Sequence, residues 1–143
     1  MKTNFKGMMV WRAARELAAS VYRMTAEFPQ TTGNFGLINS IRHAAIAVVS
    51  NIAAGRASAK PNEFAQFLSR SSSALAELDT LLLLSVDINI LSTEAIDPLS
   101  IEIHAISEAL TKLQIKINNL PAGEELVNDS DVDIGDEFIL KKF

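Results

Sequence analysis

The chain has 143 residues, no cysteine and a formal net charge of −4, and 48% of its residues are hydrophobic but only 6% aromatic. A chain of this size closes one hydrophobic core without staples, and the lack of cysteine excludes disulfides and thiolate metal sites and fits a reducing cytoplasm. Richness in Ala, Leu and Ile favours helices packed on helices over a β-sandwich.

Lys2 and Lys6 are followed by Arg12 and Arg15, so the uninterrupted apolar stretch of an export signal is not read here. A first helix is expected over residues 8–28. There Val10, Ala14, Leu17, Val21, Met24 and Phe28 recur at three- and four-residue steps and share one stripe. Arg12, Arg15 and Arg23 fall elsewhere on the wheel, and Pro29, which lacks an N–H donor, stops the helix. Residues 31–34 read as a turn. A second helix follows over residues 35–56, with Ile38, Ile41, Ala45, Val48 and Ile52 as its stripe. Ala44, Ala47, Ala53 and Ala54 let neighbours approach on more than one side, which predicts the most buried helix. Gly55 is placed to close it in a left-handed conformation.

The third helix is expected over residues 61–87, with Pro61 in the first turn and Phe64, Phe67 or Leu68, Ser71, Leu75, Leu78, Leu82 and Ser85 in rhythm. The leucine run 81–84, flanked by Asp79 and Asp87, is too short to cross a bilayer. Leu81, Leu83 and Leu84 instead widen the apolar surface beyond one stripe, the mark of a subunit contact. Asp97 is expected to cap the fourth helix with Pro98 in its first turn, leaving residues 92–96 as a turn. Ile96, Leu99, Ile103, Ile106, Leu110, Leu113, Ile117 and Leu120 form its heptad stripe, while Ile101 and Ile115 project elsewhere as further oligomer contacts. Residues 1–120 are thus expected to form an all-α, antiparallel up-down-up-down four-helix bundle. Residues 121–143 form an acidic tail, expected to be flexible, whose apolar segment 138–143 is able to dock on the bundle or on a partner.

Charge is unevenly spread: +6 over residues 1–60, −5 over residues 61–120 and −5 over residues 121–143. Such halves can pair within one bundle or across a subunit boundary. Glu77 and Asp79 stand on different sides of a helix and cannot converge as acid and base; one of them is expected to pair with Arg42 or Arg12. His104 and Glu108 can touch, but two groups do not complete a metal site. His43 reads as a polar packing or interface residue. Ser69, Ser71, Ser72 and Ser73 come without a nucleophile elbow, and no phosphate-binding loop is present. No enzymatic activity, cofactor, metal or membrane partner is expected.

Val10-Trp11-Arg12-Ala13-Ala14, Phe35-Gly36-Leu37 with Ile41-Arg42, and Ser50-Asn51-Ile52-Ala53-Ala54-Gly55 follow one another along the chain. Glu63-Phe64 with Phe67-Leu68 and Leu75-Ala76-Glu77-Leu78-Asp79-Thr80 come next. Through these segments the chain resembles, over about residues 5–120, the bacterial four-helix-bundle family named after the 23S ribosomal RNA intervening sequences. Trp11, Gly36, Ser50, Asn51, Gly55 and Glu77 fall on its motif positions. Ala54 stands where the family has an acid, Ser72 and Ser73 where Arg-Gly is common, and Pro61 where a polar residue is usual. The resemblance implies a cyclic homopentamer. It also implies kinship with accessory proteins of diversity-generating retroelements, which bind a reverse transcriptase and nucleic acid through a basic surface.

The favoured expectation is an oligomeric protein-interaction scaffold without catalytic activity. The alternative is a nucleic-acid-associated accessory protein that presents Arg12, Arg15, Arg23, Arg42 and Arg56 to RNA, DNA or a reverse transcriptase, with the acidic tail competing for that surface.

Overall fold

The structure, a computed structural model, describes residues 5–28 and 32–120. A short 3-10 turn, Phe5–Gly7, leads into four helices: α1 Met9–Thr25, α2 Thr32–Ala57, α3 Pro61–Asp87 and α4 Thr93–Asn118. No strand occurs among the described residues. Consecutive helices pack on each other, α2 and α3 most extensively, and α4 closes back onto α1 as a four-helix bundle. Pro29, the acidic tail 121–143 and its apolar segment 138–143 lie outside the described residues.

The stripes expected from the sequence meet in one core. Val10, Ala14, Leu17 and Val21 of α1 join Ile38, Ile41, Ala45, Val48 and Ile52 of α2, Phe64, Leu68, Leu75, Leu78 and Leu82 of α3, and Ile96, Leu99, Ile103, Ile106, Leu110, Leu113 and Ile117 of α4. Each fully buried Leu or Ile contributes roughly 1.5–3 kcal/mol, so these residues carry the fold. The stretch Asn34–Ala57 is long and apolar enough, by length and composition, to cross a bilayer. Its apolar stripe is committed to this core.

Three helix boundaries are corrected. Regular α1 ends at Thr25, and Phe28 is reached through a turn in which Glu27 and Phe28 donate to carbonyls three residues back, those of Met24 and Thr25. α2 begins at Thr32, inside the expected turn. Gly33 and Asn34 therefore fall in a first turn, where the N–H groups have no intrahelical partner and weak helix formers cost little. α4 begins at Thr93, capped by Ser92, whose hydroxyl accepts the Ala95 N–H at 3.1 Å, so Pro98 lies inside the helix. Pro98 deprives only the Glu94 carbonyl of its donor, and both residues are exposed, so water can replace the lost bond. α2 packs against both α1 and α3 and keeps one exposed outer face, formed by Gly36, Asn39, Ser40, His43, Ile46, Ser50 and Ala54.

α3 spans the expected residues, with Pro61 in its first turn. Its end rests on a device the sequence reading missed. Asn89 takes a left-handed conformation, φ 63°, and Ile90 donates to the Ser85 carbonyl at 2.9 Å, which satisfies a carbonyl the helix leaves open.

The α2–α3 seam is close because small residues line it. Ser71, wholly buried, donates its hydroxyl to the Val48 carbonyl at 2.7 Å. Gly55 continues the helix instead of closing it, since Arg56 and Ala57 follow as helical residues. A Cβ on Gly55 would lie 2.7 Å from the Cβ of Phe67 and 2.9 Å from the Phe64 ring. Glycine is required there by proximity, not by backbone conformation.

Candidate interaction surfaces

The five arginines do not make one surface. Arg12 and Arg15 join Lys6 and Trp11 around an open cleft at the start of α1. The 3-10 turn folds against this start and orients the cleft. Arg12 donates through Nε to the Lys6 carbonyl at 3.1 Å and through Nη2 to the Gly7 carbonyl at 3.5 Å. Arg15 lies over the Trp11 ring, 5.5 Å from its centroid, and Phe5 meets Trp11 edge-on at 5.1 Å. The result is an aromatic platform flanked by cationic groups, an arrangement that accepts carboxylate or phosphate. Lys6 and Phe5 were not among the sequence candidates; their signal was proximity to Trp11 in a segment that the periodicity did not cover.

Arg23, farther along α1, is paired with Glu16 at 3.1 Å, both side chains largely in solvent. Arg42 of α2 stacks over Tyr22 of α1, 4.6 Å from the ring centroid, and donates to the Thr25 hydroxyl at 2.8 Å. It helps to fasten α1 to α2. Glu77 lines the same open hollow as Tyr22, Arg42, His43 and Ile46, but no ion pair joins it to Arg42 or to Arg12. The pairing expected from the sequence is therefore not formed among the described residues.

Arg56 is corrected outright: it is 0% exposed and belongs to the interior, not to a basic surface. The stripe on α2 carries the explanation, because Arg56 follows Ile52 by four residues and shares its inward face. Among the motif positions, Trp11 and Asn51 are half-buried, Gly55 is buried, and Gly36, Ser50 and Glu77 are exposed. Asn51 donates to the Ala47 carbonyl at 2.8 Å.

The outward apolar residues are where the sequence placed them. Leu83 and Leu84 are 52% and 43% exposed at the end of α3, with Ile88 beside them at 51%. On α4, Ile101 and Ile115 are 70% and 57% exposed. They stand two heptads apart, so one outer face carries both, about 21 Å apart along the axis. His104 and Glu108 lie between them, 3.8 Å apart. No cluster of three or more His, Cys, Asp or Glu side chains suited to a metal occurs among the described residues.

One titratable group is perturbed where α4 meets α1. Burial foremost, then the Glu16 charge, pushes the half-buried Glu102 carboxyl above its ordinary value, and Arg23 draws it part of the way back. A carboxyl raised in this way stabilises the fold fully below its unfolded pKa and loses that contribution as pH rises through the folded value. Glu102→Gln is expected to melt higher than the unchanged chain at neutral pH, with the advantage gone near about pH 3. Thermal melts at the two pH values check this, and a difference independent of pH would contradict it.

No curated protein matches the chain. A family profile, described as 23S rRNA-intervening sequence protein, matches residues 6–112, from the 3-10 turn through most of α4. The chain, a four-helix bundle whose motif residues fall within that span, belongs to the 23S rRNA-intervening sequence protein family.

Proposed function

We propose that this chain is a non-enzymatic subunit of a cyclic homo-oligomer that serves as a protein-interaction scaffold in the cytoplasm. The observation that carries the reading is the pair of outward apolar patches, Leu83, Leu84 and Ile88 on α3 and Ile101 and Ile115 on α4. A ring is built from heterologous contacts, in which one patch of each subunit meets a different patch of the next. Two separate patches on one chain meet that need, and five copies is the number that the family resemblance implies. Each subunit is an antiparallel up-down-up-down bundle. Supporting this, Val48 meets Ser71 while Gly55, later on α2, meets Phe64 and Phe67, earlier on α3. Likewise Gln114 meets Ser69, while Ser100 shares a hollow with Asp79.

Because the chain has no cysteine, single cysteines test the contact cleanly. Leu84→Cys and Ile101→Cys chains, treated separately with a short bismaleimide, are expected to give no covalent dimer. The two co-refolded together are expected to give it, since only then do unlike patches carry the reactive groups. Dimers from Leu84→Cys alone would reject the heterologous ring.

A second reading rests on the cleft of Lys6, Trp11, Arg12 and Arg15. Cationic groups around an aromatic face suit the phosphates and bases of single-stranded nucleic acid. Under this reading the subunit is a nucleic-acid-associated accessory protein, and a ring would repeat the cleft around its circumference.

A further inference from the structure

We propose that the acidic segment 124–137 of this chain seats in cis on the cleft formed by Lys6, Trp11, Arg12 and Arg15, and so governs which anions reach it. The proposal rests on reading the cleft as an anion-accepting surface and does not depend on ring formation.

Charge supplies the first argument. Glu124, Glu125, Asp129, Asp131, Asp133, Asp136 and Glu137 bring seven carboxylates with no Lys or Arg among them. On the bundle, Arg23 is already paired with Glu16, Arg42 is spread over Tyr22, and Arg56 is interior. Arg12 and Arg15 form no ion pair with a described carboxylate; their contacts run to backbone carbonyls, a thioether and an indole ring. Those contacts hold the guanidinium groups in place and leave their charge uncompensated, the condition under which a carboxylate gains most from docking.

Position supplies the second. Glu102, early in α4, lies within electrostatic reach of Glu16 and Arg23 of α1. With α4 running antiparallel to α1, its later residues approach the start of α1, and Leu120 packs against the core. Leu120, the last described residue, therefore lies toward the end of the bundle that carries the cleft. The nine and eleven residues from Leu120 to Asp129 and Asp131 span at most about 30–40 Å when extended, enough to bring these carboxylates to Arg12 and Arg15. Separate surface ion pairs are weak and screened by salt. Tethering raises the effective concentration of the segment far above that of any free competitor of similar charge.

Trp11 is the only tryptophan of the chain and cysteine is absent, so the cleft can be watched in the full-length protein. A nitroxide on Ser130→Cys is expected to quench Trp11 emission several-fold relative to a diamagnetic label on the same site. About 1 M salt, where the screening length is about 3 Å, should restore the emission, and so should Arg12→Gln with Arg15→Gln. Equal emission from the two labels at low salt overturns the proposal, as does quenching indifferent to both salt and the arginines. Co-refolding with excess unlabelled Trp11→Phe chain should leave the quenching intact; its loss would place the segment on a neighbour and overturn the assignment in cis. RNA binding by a full-length chain whose seven carboxylates in 124–137 are changed to amides separates the two ideas, because quenching in the parent without RNA binding by that variant supports the docking and rejects the nucleic-acid reading.

Discussion

Replacing Gly55 by alanine is expected to destabilise the fold by about 2 kcal/mol, in the range of overpacked cores. The new Cβ would stand 2.7 Å from the Cβ of Phe67 and 2.9 Å from the Phe64 ring. The first of these atoms is fixed to the α3 backbone, so no rotamer change relieves the clash and α2 and α3 must move apart. That separation strains the Ser71 to Val48 bond, 2.7 Å and wholly buried, on the same seam. The intrinsic preference runs the other way, since alanine is the better helix former by about 1 kcal/mol. Gly36 isolates that term: it is exposed on the same helix, with nothing within 4 Å of a Cβ. Gly36→Ala is therefore expected to leave stability unchanged or raise it. Urea unfolding of both variants checks the pair, and a Gly55→Ala chain as stable as the parent would show that the seam is looser than the distances state.

A carboxylate placed on either outward patch is expected to break the assembly while leaving the bundle folded. Leu84 and Ile101 are 43% and 70% exposed in the single chain, so Leu84→Asp or Ile101→Asp removes little from the core. Between subunits the same carboxylate would be desolvated without a partner, at a cost of several kcal/mol. Each variant alone should then run as a species near 15.5 kDa with parental helicity by circular dichroism. Their mixture is more telling. A Leu84→Asp chain keeps its α4 patch and an Ile101→Asp chain keeps its α3 patch, so one good contact joins them and the chain of contacts goes no further. A 1:1 dimer of about 31 kDa is expected. Dimers of either variant run alone would argue that each patch meets its own copy, since the unaltered patch of each chain would still pair with itself.

Much of this architecture was legible because buried stripes obey a simple period. Val10, Leu17 and Val21, or Ile103, Ile106 and Leu110, stand three, four or seven residues apart and all reach the core. Ser71 and Ser85 could be placed inside because they kept that rhythm among leucines. The same rhythm leads from Ile52 to Arg56, whose charge points to the surface while its position on the stripe places it inside. The start of α4 was not legible: Ser92 and Asp97 both satisfy the local rules for a cap, and only packing of Ile96 in the core selects the earlier one. The cleft was half legible. Trp11, Arg12 and Arg15 were singled out, but Lys6 and Phe5 join them through a 3-10 turn folded against α1, a contact that no helical period encodes. The crowding at Gly55 was hidden for the same reason, since glycine near the end of a helix ordinarily signals a stop, and only the position of Phe67 on another helix shows why it is there.

Light scattering coupled to gel filtration of the unmodified full-length chain tests the proposed ring most directly. A single peak of uniform mass at about 78 kDa, five times the 15.5 kDa chain, is the expected result. A uniform peak at 15.5 kDa, unchanged as concentration is raised, would contradict it.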